Sequence, residues 1–253
     1  MHYLLTLLLL LLPSPLWAAI TIDGTISFVA GRNGTGYPDL SVSHSSTAPT
    51  LALACVAERA SSNNMGASTS VPTYGGNTMT LVTGATQTQA TRVKTSLYYY
   101  VSPPSGSQTV ALATVSTNSN RYMMSVMTLA GTATTSIFNT AGTNGGDSGQ
   151  NLDVDGLASA VGEFAVACGL QSTNAPVFSA DATSPVSTEQ LDEDMTATDS
   201  IGLSHFVYTE DGAATSINMR VDSTVSQYWS MVAVSIRPAV TATTQQQSPV
   251  FYP

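Results

Sequence analysis

Hydrophobic and polar positions along this chain alternate in short runs, and none of the runs holds a helical period for more than a turn or two. From Thr50 to Arg59, Leu51, Leu53 and Cys55 share one face and Ala52, Ala54 and Val56 the other, so a strand apolar on both sides is predicted here. Phe164 to Leu170 repeats that pattern, with Phe-Ala-Val-Ala-Cys standing where the first stretch has Leu-Ala-Leu-Ala-Cys. Further strands are predicted over Ile20 to Ala30, around the Tyr74-Gly75-Gly76 turn through Met79, Leu81 and Val82, and over Arg92 to Val101. Val110 to Val115 and Tyr122 to Leu129 then complete a meander, after Pro103-Pro104-Ser105-Gly106 has removed ladder donors and turned the chain.

The meander recurs. Sliding the chain by 106 residues sets Tyr100-Val101 on Phe206-Val207, Gly106 on Gly212, Tyr122 on Tyr228 and Val126 on Val232, while the cysteine stretches match at an offset of 113. Leu203 to Tyr208, Ser216 to Val221 and Tyr228 to Arg237 are the second copy, and Leu152 to Gly156 (LDVDG) echoes Ile20 to Gly24 (ITIDG). Residues 132 to 150, rich in Gly, Asn and Thr, read as the loop joining two related halves, 20–131 and 150–238. A half with about five short strands covers little apolar area alone. The expected fold is therefore all-β, a single jelly-roll-like β-sandwich over 20–240 with pseudo-two-fold symmetry and the cysteine strands paired at its centre.

Residues 1–19 carry an apolar run from Leu4 to Leu12, two prolines and Ala18-Ala19, the pattern of a cleaved secretory leader. As a helix that run covers only about 14 Å of a hydrocarbon core about 30 Å thick, so no stable membrane span is expected once the leader is removed. The expected location is extracellular or at the cell surface. Asn33-Gly34-Thr35 is an acceptor sequon for glycosylation, and 241–253 is a Thr- and Gln-rich flexible tail.

Composition changes the picture in two ways. Only 9% of residues are charged against 43% hydrophobic, which excludes disorder. The net charge of −9 is divided unevenly: residues 1–146 hold three acids against five bases, and 147–253 hold thirteen acids against two. No basic face exists to neutralise phosphates, so nucleic acid is not an expected partner.

The run Val71-Pro72-Thr73-Tyr74-Gly75-Gly76, then Ser96 to Val101, then Pro103 to Gly106, closing with Met231 to Pro238 (MVAVSIRP), resembles a loose class of secreted bacterial and phage-encoded β-sandwich modules. That resemblance implies a setting in adhesin-like surface proteins or virion appendages, and no site.

Candidate chemistry is sparse. Gly146-Asp147-Ser148-Gly149 looks like a serine-protease nucleophile motif, yet between His44 and Asp147 the only acid is Glu58, and a glycine-rich turn is favoured. Asn151, Asp153, Asp155 and Gly156 have EF-hand spacings, but Gly162 stands where a bidentate Glu is required. With the acidic run Gln190 to Asp194, this is the whole case for calcium, and no cofactor is expected. Cys55 and Cys168 fit either a disulfide or two buried thiols. Tyr98 and Tyr100 are candidates for stacking on a glycan, weighed against a core role on a central strand.

The expected function is that of an exported, non-enzymatic structural or adhesive module, acting by self-association or by binding a host surface. A carbohydrate-binding module and a virion appendage or decoration protein are the alternatives.

Overall fold

The computed structural model describes residues 16–32, 39–60, 71–113, 119–173, 177–180, 188–195, 203–211 and 216–241. Most of the expected leader, the Asn33 sequon, residues 61–70, Gly202, Gly212 and the expected tail beyond Thr241 lie outside the described residues. The first half runs through β1 (Leu16–Trp17), β2 (Thr21–Ile22), β3 (Ser27–Arg32), β4 (Leu40–Ser46), β5 (Leu51–Ala60), β6 (Thr73–Tyr74), β7 (Asn77–Thr78), β8 (Thr80–Gln89), β9 (Val93–Val101), β10 (Gly106–Leu112) and β11 (Ser119–Ala130). The second comprises β12 (Phe138–Gly146), β13 (Asn151–Ala158), β14 (Phe164–Gln171), β15 (Phe178–Ala180), β16 (Thr188–Met195), β17 (Leu203–Asp211), β18 (Ser216–Ser223), β19 (Trp229–Ile236) and β20 (Val240–Thr241). The chain is all-β, and every strand pair is antiparallel.

Four sheets stack in layers. A first outer sheet, β4-β10-β6-β7, covers a first inner sheet, β2-β11-β5-β9-β8, in which β3 continues the edge begun by β2. A second inner sheet, β12-β19-β14-β17-β16, is covered in turn by a second outer sheet, β13-β18-β15. Burial follows the layering. β14 and β19 are buried at every residue, because an inner sheet has protein on both faces, whereas β18 alternates buried and partly exposed positions.

Three large apolar cores fill the gaps between layers, beside a smaller cluster of Ala57, Val93, Met123 and Leu170. Tyr74, Val110 and Leu112 meet Ala54, Val56 and Met124 under the first outer sheet. Leu53, Cys55, Leu97 and Met127 meet Val166, Cys168, Val207 and Val232 between the inner sheets. Leu152, Val154 and Met219 meet Phe206, Tyr208 and Met231 under the second outer sheet. A small two-stranded sheet, β1-β20, ties residues beside the expected cleavage point to the C-terminal end of the described chain.

Several expectations are corrected by this arrangement. The described sheets number more than the two of a single sandwich. The cysteine strands do not pair with each other: β5 lies between β11 and β9, and β14 between β19 and β17. They face each other across the middle core instead.

Nor do β9, β10 and β11 form a meander. Beyond Ser102, with φ +50°, and the two prolines, the chain crosses to the outer sheet and then returns, leaving β9 and β11 on either side of β5. The presumed joining loop contains β12, a nine-residue edge strand on β19. Its glycines serve close packing: a Cβ on Gly142 would lie 2.6 Å from Val154, and one on Gly146 2.5 Å from Trp229 Nε1. The LDVDG echo also fails, since Ile22 belongs to the edge of an inner sheet and Leu152 to an outer one.

Candidate ligand cleft

A cleft of about 530 Å³ opens where the edge of the first inner sheet meets the segment leading into β12. Val82 and Thr83 of β8 and Tyr99 and Val101 of β9 form one wall. Thr134, Ser136, Ile137, Phe138, Asn139, Thr140 and Ala141 form the other. Tyr99 and Phe138 meet edge to face across it, with centroids 5.0 Å apart and planes at 80°. No residue of the lining carries a charge.

The second wall is held from behind. Arg237 donates from Nη1 to the Ser136 carbonyl at 3.0 Å and from Nη2 to Asn139 Oδ1 at 2.9 Å. Its backbone N–H also donates to the Ile137 carbonyl at 2.7 Å. Ser136 has φ +48°, a conformation that a non-glycine residue keeps only when its surroundings enforce it. Asn139 Nδ2 donates to Glu163 Oε2 at 3.1 Å, and that oxygen also accepts from Ser235 Oγ at 2.6 Å and from the Ala160 N–H at 3.1 Å. Glu163 is buried, these donors all meet on its Oε2, and its Oε1 lies 3.8 Å from Arg237 Nε in an ion pair.

The sequence-derived candidates fall elsewhere. Tyr98 is buried at 6% exposure in the core under the first outer sheet, where burial raises its phenol pKa, so it offers no open face for stacking. Tyr100 is half-buried and stacked on Tyr74 at 6.3 Å. The tyrosine that reaches the cleft is Tyr99. Residue alternation along β9 contains the signal, since neighbouring tyrosines must take opposite faces, but which face is open depends on the covering layer.

Cys55 and Cys168 are bonded to each other, with Cα atoms 6.4 Å apart, and so clamp the two inner sheets through their common core.

His44 and Ser148 are not brought together. His44 is buried on β4, with Nδ1 bonded to Ser27 Oγ at 3.0 Å and Nε2 to Thr128 Oγ1 at 2.9 Å; burial lowers its pKa. Ser148 lies in an exposed bend of the other half, beside an Asp147 that accepts from Gln89 Nε2 at 2.6 Å.

His205 is fully buried between the inner sheets. Its Nδ1 donates to the Gly169 carbonyl at 2.8 Å, so Nε2 accepts from Ser125 Oγ at 2.8 Å, and burial pulls its pKa down to about 4.

The EF-hand spacing lies on a strand, not a loop. Asp153 accepts from Asn144, and Asp155 makes a two-bond ion pair with Arg220 at 3.0 and 3.2 Å. Gln190 to Asp194 belongs to edge strand β16, with Gln190 donating to Thr209. Among the described residues no group of three or more His, Cys, Asp and Glu is placed to hold a metal ion. No helix there is long and apolar enough to cross a membrane.

Searches of protein-family models, curated proteins and solved structures find nothing that matches this chain.

Proposed function

We propose that this chain is an exported, non-enzymatic surface or assembly module that associates with further copies of itself through its two outer sheets, with its halves related by a pseudo-two-fold. The single observation that carries the reading is the unlike chemistry of those sheets. On the first, the solvent-facing positions Ser41, Ser43, Ser45, Ser107 and Thr109 are all hydroxyls, and Ser43 and Ser107 bond to each other at 2.8 Å. On the second, Asp153, Asp155 and Asp222 surround Arg220.

Two acidic faces repel each other, whereas a hydroxyl face supplies donors to carboxylates. A contact between unlike faces is head-to-tail, and such contacts build rings or open filaments. The matching order of strands in the two halves supports the pseudo-symmetry, since each half threads its outer and inner sheets in the same sequence. An extracellular setting is consistent with the leader-like residues 1–19 and with an interior disulfide.

The test is light scattering with negative-stain imaging on the wild-type chain and on a Ser41→Glu, Ser107→Glu double variant. Ordered assemblies in the wild type that are lost in the variant, whose substitutions are both exposed, are the expected result. A wild type that stays monomeric at all concentrations and salt levels overturns self-association.

A further inference from the structure

We infer that the cleft between β9 and the 134–141 segment is a binding site for an uncharged, hydroxyl-rich ligand, a neutral sugar unit packed against Tyr99. This is independent of the assembly reading, because the cleft lies at the seam between the inner sheets and not on an outer sheet.

Three observations converge on the ligand class. The floor is apolar and aromatic: the partly exposed Tyr99, Phe138 and Val101 offer the C–H-binding surface that one face of a pyranose requires. The rim consists of neutral donors and acceptors, with Thr83, Thr134, Ser136 and Thr140 ready to exchange hydrogen bonds with ring hydroxyls. The absence of any charged lining residue argues against a phosphorylated or carboxylated ligand, which would lie unpaired in the site. The volume of about 530 Å³ is in the range of small-molecule sites and suits one or two sugar rings.

Rigidity is a further argument. Arg237 grips the rim at Ser136 and Asn139 together, while buried Glu163 holds Asn139 from the other side. A wall fixed before the ligand arrives loses little conformational freedom on binding. The left-handed backbone at Ser136 is maintained by the same guanidinium. Arg237 is thus a positioning residue for the cleft and has no need to touch the ligand.

The experiment is saturation-transfer NMR on the full chain with glucose, galactose, N-acetylglucosamine and their disaccharides as probes, and glucuronic acid as the charged control. Aromatic spectra of the protein report on Tyr99 and Phe138. The expected result is that at least one neutral sugar receives saturation and shifts both rings, and that Tyr99→Ala weakens binding about tenfold or more, as loss of an aromatic platform does. Thr83→Arg, at an exposed position, fills the mouth and abolishes binding even if Tyr99→Ala fails to fold. Tyr100→Ala leaves affinity within about twofold, because that ring lies on the opposite face of β9. Saturation of no neutral sugar at millimolar concentration, equal binding of glucuronic acid, or binding unchanged in Thr83→Arg would overturn the inference.

Discussion

His205 links the fold to pH in a way that can be measured. In the unfolded chain its imidazole titrates near its ordinary value of 6.5, and in the folded chain burial lowers that to about 4. Between these values the unfolded state holds more protons than the folded one, so stability rises with pH across the window. His205's contribution is complete above about pH 6.5 and is lost as pH falls toward 4. A gap of that size corresponds to about 3 kcal/mol in total, with about 2 kcal/mol already lost at pH 5.

The physical reason is local: burial between two β-sheets strips a charged ring of solvation, and no carboxylate stands among its described hydrogen-bond partners. Its neighbours are the Gly169 carbonyl, the Ser125 hydroxyl and the Phe28 ring, which stacks on it at 6.3 Å. The assay is urea unfolding at pH 7, 6, 5 and 4.5 for the wild type and for His205→Gln, whose amide can still accept from Ser125. His44, also depressed by burial, and the sixteen acids titrate in both proteins and cancel in the difference. The wild type should lose about 2 kcal/mol more than the variant between pH 7 and pH 5. Parallel pH profiles for the two proteins would refute the reasoning.

Other expectations follow from the same interior. Replacing Cys55 and Cys168 together by Ser opens a loop with a sequence separation of 113 and should cost roughly 5 kcal/mol on the chain-entropy account, read as a fall in urea midpoint relative to the oxidised protein. Gly169→Ala should destabilise by about 1–3 kcal/mol or more, since its Cβ would lie 2.5 Å from Phe206 Cζ and 2.6 Å from the Ser230 carbonyl; thermal melting checks it. Glu163→Leu strands the donors of Asn139, Ser235 and Ala160, and should lower stability by about 2–4 kcal/mol while broadening the NMR signals of Ser136 and Asn139. Arg237→Met should broaden the same two signals, and sharp, unmoved resonances would deny it the positioning role.

Much of the strand content was legible in the chain. Val93–Val101, Trp229–Ile236 and Phe164–Gln171 fall within a residue or two of the expected strands, because residues apolar on both faces can only be satisfied between two layers. What sliding the chain on itself could not supply was register. Opposite Cys55 stand Leu97 and Ser125; opposite Cys168 stand Val207 and Val232. Leu97 thus matches Val207, 110 residues on, and Ser125 matches Val232, 107 residues on. The 106-residue match had set Val126 on Val232, which face different cores. A one-residue slip reverses every side chain of a strand, and small apolar residues repeated along both faces leave it almost unmarked in the letters.

The sequence by itself determined that this is a β-protein with its two cysteines on strongly apolar strands and its acids concentrated after residue 146. These are local or compositional properties, written in alternation, turn residues and charge counts. Only the tertiary structure decided that the cysteine strands stack face to face instead of pairing edge to edge, that β12 is a strand despite its glycines, and that Tyr99, not its neighbours, opens into a cleft. Each of those depends on which layer covers a given face, a contact between residues far apart in the chain, and alternation along a strand specifies two faces without saying what lies against either.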